Sequence, residues 1–177
     1  GWLPNGPPGV EYCDIMGAQH EIPLMVSAYQ KGIRNYDVDK AYEAVKKTLT
    51  TQGTALSSGG IVGNRHLDVY LKYGFVPYGE KSHHNVFGTT YEWPTSNTLE
   101  YAFDDWNAAQ FAKALGYEED YDYFTRRAYN YKNVFDSETK YVRPKYSDGT
   151  WMPDFEPINK DEHSTSWSWL GSGFVEG

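Results

Sequence analysis

Residues 97–116, with the sequence NTLEYAFDDWNAAQFAKALG, decide the fold class of this chain. Asn97 and Glu100 have the spacing of a capping box and Gly116 provides a stop, so the stretch predicts a long helix that starts near Ser96 or Asn97. Its apolar residues form two stripes, one with Leu99, Ala102, Phe103, Trp106 and Ala109 and the other with Ala108, Phe111, Ala112 and Leu115. A helix that is apolar on two sides is expected to be buried on two sides.

A second helix is predicted after the tight turn at Gly116, reaching to Phe135. Its apolar face is rich in aromatic side chains: Tyr117, Tyr121, Phe124, Ala128, Tyr131 and Phe135. Charged residues occupy the rest of its surface, so we expect an outer helix that packs on the first. An inner helix joined to an outer one by a minimal turn is the repeating element of helical bundles and of (α/α) barrels.

Two helices that form a hairpin are predicted before this pair. The first spans about Ile22 to Lys31 and stops at Gly32, with Pro23 in the opening turn, where proline is tolerated. Asp37 offers an N-cap for the second, which Gly53 ends. The expected buried stripe of the second helix contains Val38, Ala41, Val45 and Leu49.

The remaining stretches predict a short helix, loops and a short β-hairpin. The helix contains Leu67, Tyr70 and Leu71 and ends at Gly74. Residues 53–64, 78–94 and 161–177 are predicted loops, and the length of 78–94 suggests a wall of a functional site. The sequence Ser147-Asp148-Gly149 predicts a turn between two short extended segments.

Composition excludes several classes of function. The formal net charge of -8, without a cluster of Lys and Arg, argues against a nucleic-acid partner. The apolar stretches are too short for a membrane span, and the single Cys13 allows no internal disulfide. Because the chain begins at Gly1 and stops at Gly177 without a closing element, we expect a fragment of a larger domain.

Motifs for most kinds of chemistry are missing. His83 and His84 are adjacent and have no HExxH or paired CxxC companion, so no metal ligand is predicted from the residues. The run Gly59-Gly60-Ile61-Val62-Gly63 lacks the Lys of a P-loop, and no GxSxG elbow is present. The 16 Tyr, 8 Phe and 6 Trp suit the stacking face of a sugar, although core packing is their more common role.

Carboxylates are the remaining candidates, because glycoside hydrolysis requires two of them. Asp104 and Asp105 lie on the predicted buried helix, where a structural role is the more common one. Glu176 follows Gly173-Phe174-Val175, an apolar lead-in that could raise its pKa as a general acid requires, but composition alone makes it a surface residue. The residues by themselves thus indicate an acidic, aromatic-rich, mainly α domain.

Residues 98–136, from TLEYAFDDW through AKALG to YNYKNVFD, resemble the helical hairpin of glycoside hydrolase family 92. Further stretches similar to the family are GWLP at 1–4, Met16-Gly17 with His20, AYQKGIR at 28–34, DKAYEA at 39–44 and YLKYG at 70–74. The resemblance implies that residues 1–177 are a fragment of an (α/α)6 toroid. In a whole enzyme a β-sandwich, absent here, would precede the toroid, and a C-terminal remainder would complete it.

The resemblance also implies an activity. Similar members of the family are calcium-dependent, exo-acting α-mannosidases that invert the anomeric configuration of mannose-containing glycans, and they are extracellular or periplasmic. Their general acid is a Glu in an E-G-N-x-W-Q pattern, whose first half Phe174-Val175-Glu176-Gly177 resembles, so Glu176 is the expected acid. The family's base and principal calcium ligands lie beyond Gly177. Gln19 and His20 are the nearest candidates for contacts with sugar hydroxyls.

Two other functions are compatible with this sequence. One is a toroid that binds glycans without catalysis, and the other is an (α/α)6 glycosidase that acts on a different sugar. The carboxylates downstream and the sensitivity to chelators would distinguish them. The linkage preference and the oligomeric state stay open.

Overall fold

The computed structural model describes residues 1–3, 19–55, 61–80, 94–153 and 155, and this part of the chain is mainly α, as predicted. Its α-helices are α1 (Glu21–Gln30), α2 (Val38–Thr50), α3 (Leu67–Tyr73), α4 (Pro94–Leu115) and α5 (Glu118–Ala128). A 3₁₀ helix, Tyr129–Val134, continues α5. Two antiparallel pairs of short strands are formed by β1 (Thr54–Ala55) with β2 (Ile61–Val62) and by β3 (Phe135–Asp136) with β4 (Tyr141–Val142).

Helix α4 begins at Pro94, earlier than the capping-box spacing predicts. Proline suits the first position of a helix because its missing N–H would have no partner there. Asn97 therefore lies inside the helix and is buried, so its predicted role as a cap is wrong. The Thr98 hydroxyl donates to the Pro94 carbonyl at 2.7 Å and accepts the Val76 N–H at 2.9 Å. These two hydrogen bonds fix the first turn of α4 against the segment after α3.

The buried surface of α4 is more polar than its two apolar stripes predict. Phe103 and Trp106 are 48% and 50% exposed, so their predicted burial is wrong within the described part of the chain. Elsewhere on its surface the helix buries polar residues: Thr95, Asn97, Thr98, Asp104, Asp105 and Asn107. Polar side chains can be buried in this way because hydrogen bonds compensate part of their desolvation.

Side-chain contacts give the directions in which the helices run. Gln19 meets Asp104 and Tyr29 packs on Phe111, so α1 runs parallel to the second half of α4. Lys46 pairs with Asp120, and the Leu49 carbonyl bonds Arg127, so α2 runs parallel to α5. These are the directions expected for two successive inner and outer pairs of an (α/α) toroid, although closure of the toroid stays a prediction.

Helices α1 and α2 run in opposite directions, as a hairpin requires, but each packs more extensively on α4 than on the other. The predicted Asp37 cap is confirmed, because its carboxylate accepts the Lys40 N–H at 3.1 Å. The shared core is centred on buried side chains of α1, α2, α4 and α5, which include Ile22, Val26, Val45, Leu49, Phe111 and Phe124. Helix α4 is therefore the element that joins the first helices to the last.

Part of the predicted loop 53–64 is a strand pairing. Thr54 pairs with Val62 and Ala55 with Ile61. A Cβ atom built on Gly53 would lie 1.9 Å from the Val62 carbonyl oxygen, so only glycine allows the two backbones to approach this closely. The close approach explains the pairing of β1 and β2, which hydrophobic periodicity does not predict.

The end of the second predicted helix also differs. The α-helix stops at Ala128 and the chain passes through the 3₁₀ helix into β3, leaving Tyr131 and Phe135 exposed. The predicted turn at Ser147-Asp148-Gly149 is present, with a bridge between Lys145 and Trp151 on either side of it. No helix in the described segments has the length and apolarity needed to cross a membrane.

Candidate functional site

Asp104 is a buried carboxyl group at the middle of α4. It is 1% exposed, and its Oδ2 accepts the backbone N–H of Gln19 at 3.1 Å. Burial raises the pKa of Asp104 well above its usual value, the Gln19 hydrogen bond opposes the rise, and the nearby carboxyls of Asp105, Glu100 and Glu21 add to it. Burial thus makes the Asp104 carboxyl easier to protonate than an exposed aspartate.

The two predicted sugar-binding residues lie at the start of α1, next to Asp104. Gln19 is buried, and its Oε1 has no hydrogen-bond partner within the described structure. His20 occupies the N-cap position of α1, is exposed and makes no side-chain cap bond. The backbone of Gln19 thus contacts Asp104, whereas the side chain of His20 is exposed.

Asp105 has a different environment, although it is adjacent to Asp104. Its Oδ1 lies 2.8 Å from Nη2 of Arg127, and its Oδ2 accepts from Nε of Arg127 at 3.1 Å and from the Tyr70 hydroxyl at 2.8 Å. Nη1 of Arg127 continues to the Leu49 carbonyl at 2.8 Å. Burial raises the pKa of Asp105 to about 7, and the Arg127 charge opposes this shift. The network joins α2, α3, α4 and α5, so Asp105 has a structural role.

His66 is a buried polar residue that sequence reasoning missed. It precedes α3, and its backbone N–H donates to the Tyr101 hydroxyl at 3.3 Å. Neither ring nitrogen has a partner in the part of the chain that is described. Burial lowers the pKa of His66 to about 3, with a further contribution from Arg65, so the imidazole is neutral. A lone His with no motif around it gives no sequence signal of such burial.

The remaining predicted residues are outside the described residues, namely Glu176, Cys13, His83 and His84. Within residues 19–55, 61–80 and 94–153, no three or more His, Cys, Asp or Glu side chains form a group able to hold a metal ion.

The profile of the glycosyl hydrolase family 92 catalytic domain matches residues 1–176. The chain belongs to glycosyl hydrolase family 92. Residues 98–136, which carried the resemblance, correspond to most of α4, α5, the 3₁₀ helix and β3 in this member of family 92.

Solved and curated relatives agree with the family. The chain is 31% identical to a family 92 inverting mannosidase from Bacteroides thetaiotaomicron, with a TM-score of 0.69, covering 85% of this chain and 18% of that one. It is 33% identical to an α-mannosidase of the same family and organism in complex with mannoimidazole, with a TM-score of 0.66 and coverage of 82% and 16%. A secreted glycosidase of uncharacterised function from Arthroderma benhamiae is 27% identical, with coverage of 85% and 20%. This chain spans about a fifth of the length of these relatives.

Proposed function

We propose that this family 92 chain is part of a longer glycoside hydrolase that removes terminal α-linked mannose from glycans with inversion of configuration. The observation that carries the proposal is the similarity to two mannosidase structures, at 31% and 33% identity and TM-scores of 0.69 and 0.66. One of these relatives is described as inverting, and the other is in complex with mannoimidazole. The substrate class proposed for this chain is therefore a mannose-terminated glycan.

The start of α1 is the proposed part of the sugar site within the described residues. His20 is exposed there, and its imidazole can donate a hydrogen bond to a hydroxyl group or accept one from it. The buried Gln19 supports it through the bond from its backbone to Asp104.

Inverting hydrolysis requires a protonated carboxyl on one side of the glycosidic bond and a carboxylate that activates water on the other. We assign the first role to Glu176, which would donate its proton to the leaving glycosidic oxygen. The second carboxyl belongs to the rest of the enzyme, at a separation of roughly 6.5–9.5 Å that leaves space for the water. This chain by itself is not expected to turn over substrate.

The acid assignment is tested by Glu176→Gln in the full-length protein. A mannobiose, whose leaving group needs protonation, should be hydrolysed at least about 100-fold more slowly, while an aryl α-mannoside with an activated leaving group should lose less. The matched control is Glu119→Gln, an exposed carboxyl on α5 that should leave both rates unchanged. Unchanged hydrolysis of mannobiose by Glu176→Gln would show that Glu176 is not the acid.

Calcium dependence is proposed from the family resemblance, with ligands outside the described residues. Chelation should abolish hydrolysis and added calcium should restore it. Activity that persists without calcium would instead favour an (α/α)6 glycosidase of another specificity, and glycan binding without hydrolysis would favour a non-catalytic toroid. We also propose an extracellular or periplasmic location, as for the secreted relative.

A further inference from the structure

We propose that Asp104 is a positioning residue of the sugar site, whose buried side chain fixes the backbone of Gln19 and thereby presents His20 to the substrate. The inference rests on the function proposed above. It assigns a role to a residue that does not itself contact the sugar.

The first support is the geometry at the start of α1. Asp104 lies 85 residues after Gln19 in the sequence, yet its Oδ2 accepts the Gln19 N–H at 3.1 Å in a buried contact. The His20 side chain does not cap the helix. Asp104 therefore holds the N–H of Gln19, and the Ile22 N–H holds its carbonyl at 2.9 Å. The backbone of the residue before His20 is fixed by these two bonds.

The second support is the contrast between the two buried carboxyls of α4. Within the described residues no ion pair involves Asp104, in contrast to Asp105, which is paired with Arg127. An unpaired buried carboxyl costs stability, so an apolar side chain would fill this position better if packing were its sole role. The Asp104 carboxyl therefore contributes an acceptor for the buried Gln19 N–H.

The protonation state of Asp104 determines which substitution can replace it. Burial raises its pKa, and the charges of Asp105, Glu100 and Glu21 act in the same direction. A protonated carboxyl still accepts a hydrogen bond through its carbonyl oxygen, as does the amide of Asn. Asn is therefore the conservative replacement, and Leu has a similar size but no acceptor.

The test compares these two replacements in the full-length protein with an aryl α-mannoside as substrate. Asp104→Leu should raise KM about tenfold with a smaller change in kcat, since the buried Gln19 N–H loses its acceptor. Asp104→Asn should restore KM. His20→Ala should raise KM by a similar factor, and the variant with both His20→Ala and Asp104→Leu should be no worse than His20→Ala alone.

Asp120→Leu is the matched control, because Asp120 accepts from Tyr42 and Lys46 between the outer helices α2 and α5. It should leave KM unchanged. An Asp104→Leu enzyme with normal KM, or effects of His20→Ala and Asp104→Leu that simply multiply, would overturn the proposal.

Amide hydrogen exchange gives a readout that does not depend on catalysis. Exchange at Gln19 and His20 should become about tenfold faster in Asp104→Leu but not in Asp104→Asn. Unchanged exchange would overturn the anchoring role, whatever the enzyme does to mannosides. If the parent protein hydrolyses no mannoside but exchange responds as expected, the proposed function fails while the anchoring of Gln19 by Asp104 stands.

Discussion

The adjacent carboxyls of Asp104 and Asp105 are both buried on α4 but have opposite electrostatic surroundings. Asp105 faces the guanidinium of Arg127 at 2.8 Å, and Asp104 accepts the backbone N–H of Gln19 at 3.1 Å. A buried ion pair with several hydrogen bonds fixes the elements that contribute to it. A buried neutral acid can act as an acceptor without bringing a charge into the core.

Removal of one partner from the Asp105–Arg127 pair should strongly destabilise the protein. Arg127→Met leaves the carboxyl without its cation and removes the bond to the Leu49 carbonyl, so we expect a loss of about 3–5 kcal/mol in the free energy of unfolding. Chemical denaturation of the full-length protein measures it.

The neighbouring Arg126 is exposed on the same helix and serves as the control for this prediction. Arg126→Met should unfold at the same denaturant concentration as the parent protein. Equal stability of the two variants would contradict a structural role for the Arg127 network.

The sequence predicted the burial of both aspartates but could not assign their partners. Asp105 meets Arg127 only because α5 folds back on α4, and Asp104 meets Gln19 across 85 residues. The same limit applies to His66, whose backbone N–H meets the Tyr101 hydroxyl of α4. Contacts that arise between distant segments have no local signature in a single sequence.

At the scale of elements, Gly53 provides a direct test of the close pairing of β1 and β2. In Gly53→Ala the new Cβ would lie 1.9 Å from the Val62 carbonyl oxygen, so the two strands must separate. The expected cost is about 1–3 kcal/mol, measured as a lower unfolding midpoint with faster hydrogen exchange in β2.

Gly79→Ala is the comparison, because a Cβ there meets no atom within 4 Å and only the positive φ of 80° opposes it. That strain should cost roughly 1 kcal/mol and leave exchange in β2 unchanged. If β2 exchanges normally in Gly53→Ala, the backbone contact is not what requires glycine.

Helix ends marked by a typical capping residue could be predicted from the sequence, but the other helix ends could not. Asp37 caps α2 and Gly74 ends α3 with a φ of 75°, both as their residue types indicate. The start of α4 at Pro94 and the change from α5 to a 3₁₀ helix at Tyr129 were missed. The residue type of Asn97 favours a cap, but in the folded chain it is buried inside the helix, so tertiary structure overrides that local preference.

At the scale of the whole molecule, the exposed side of α4 indicates how the chain fits the proposed larger enzyme. Phe103 and Trp106 are separated by one helical turn and are about half exposed. If the remaining helices of the proposed toroid cover this side, Phe103→Ser in the full-length protein should cost about 3–5 kcal/mol, the usual range for truncating a buried aromatic side chain.

Tyr129→Ser is a suitable control because Tyr129 is 56% exposed and continues the outer helix α5. The thermal midpoint of the control should stay close to that of the parent protein. A Phe103→Ser enzyme that is as stable as this control would show that no further helix packs on that side of α4.

The central position of α4 has a consequence for the time course of synthesis. Gln19 leaves the ribosome 85 residues before Asp104, and Leu49 leaves it 78 residues before Arg127. At roughly 5–20 residues per second, about 4–17 s separate the synthesis of Gln19 from that of Asp104 on α4, the helix on which α1 packs. During that interval the nascent chain exposes Ile22, Val26, Val45 and Leu49, so molecular chaperones that bind apolar segments have their best opportunity before α4 emerges.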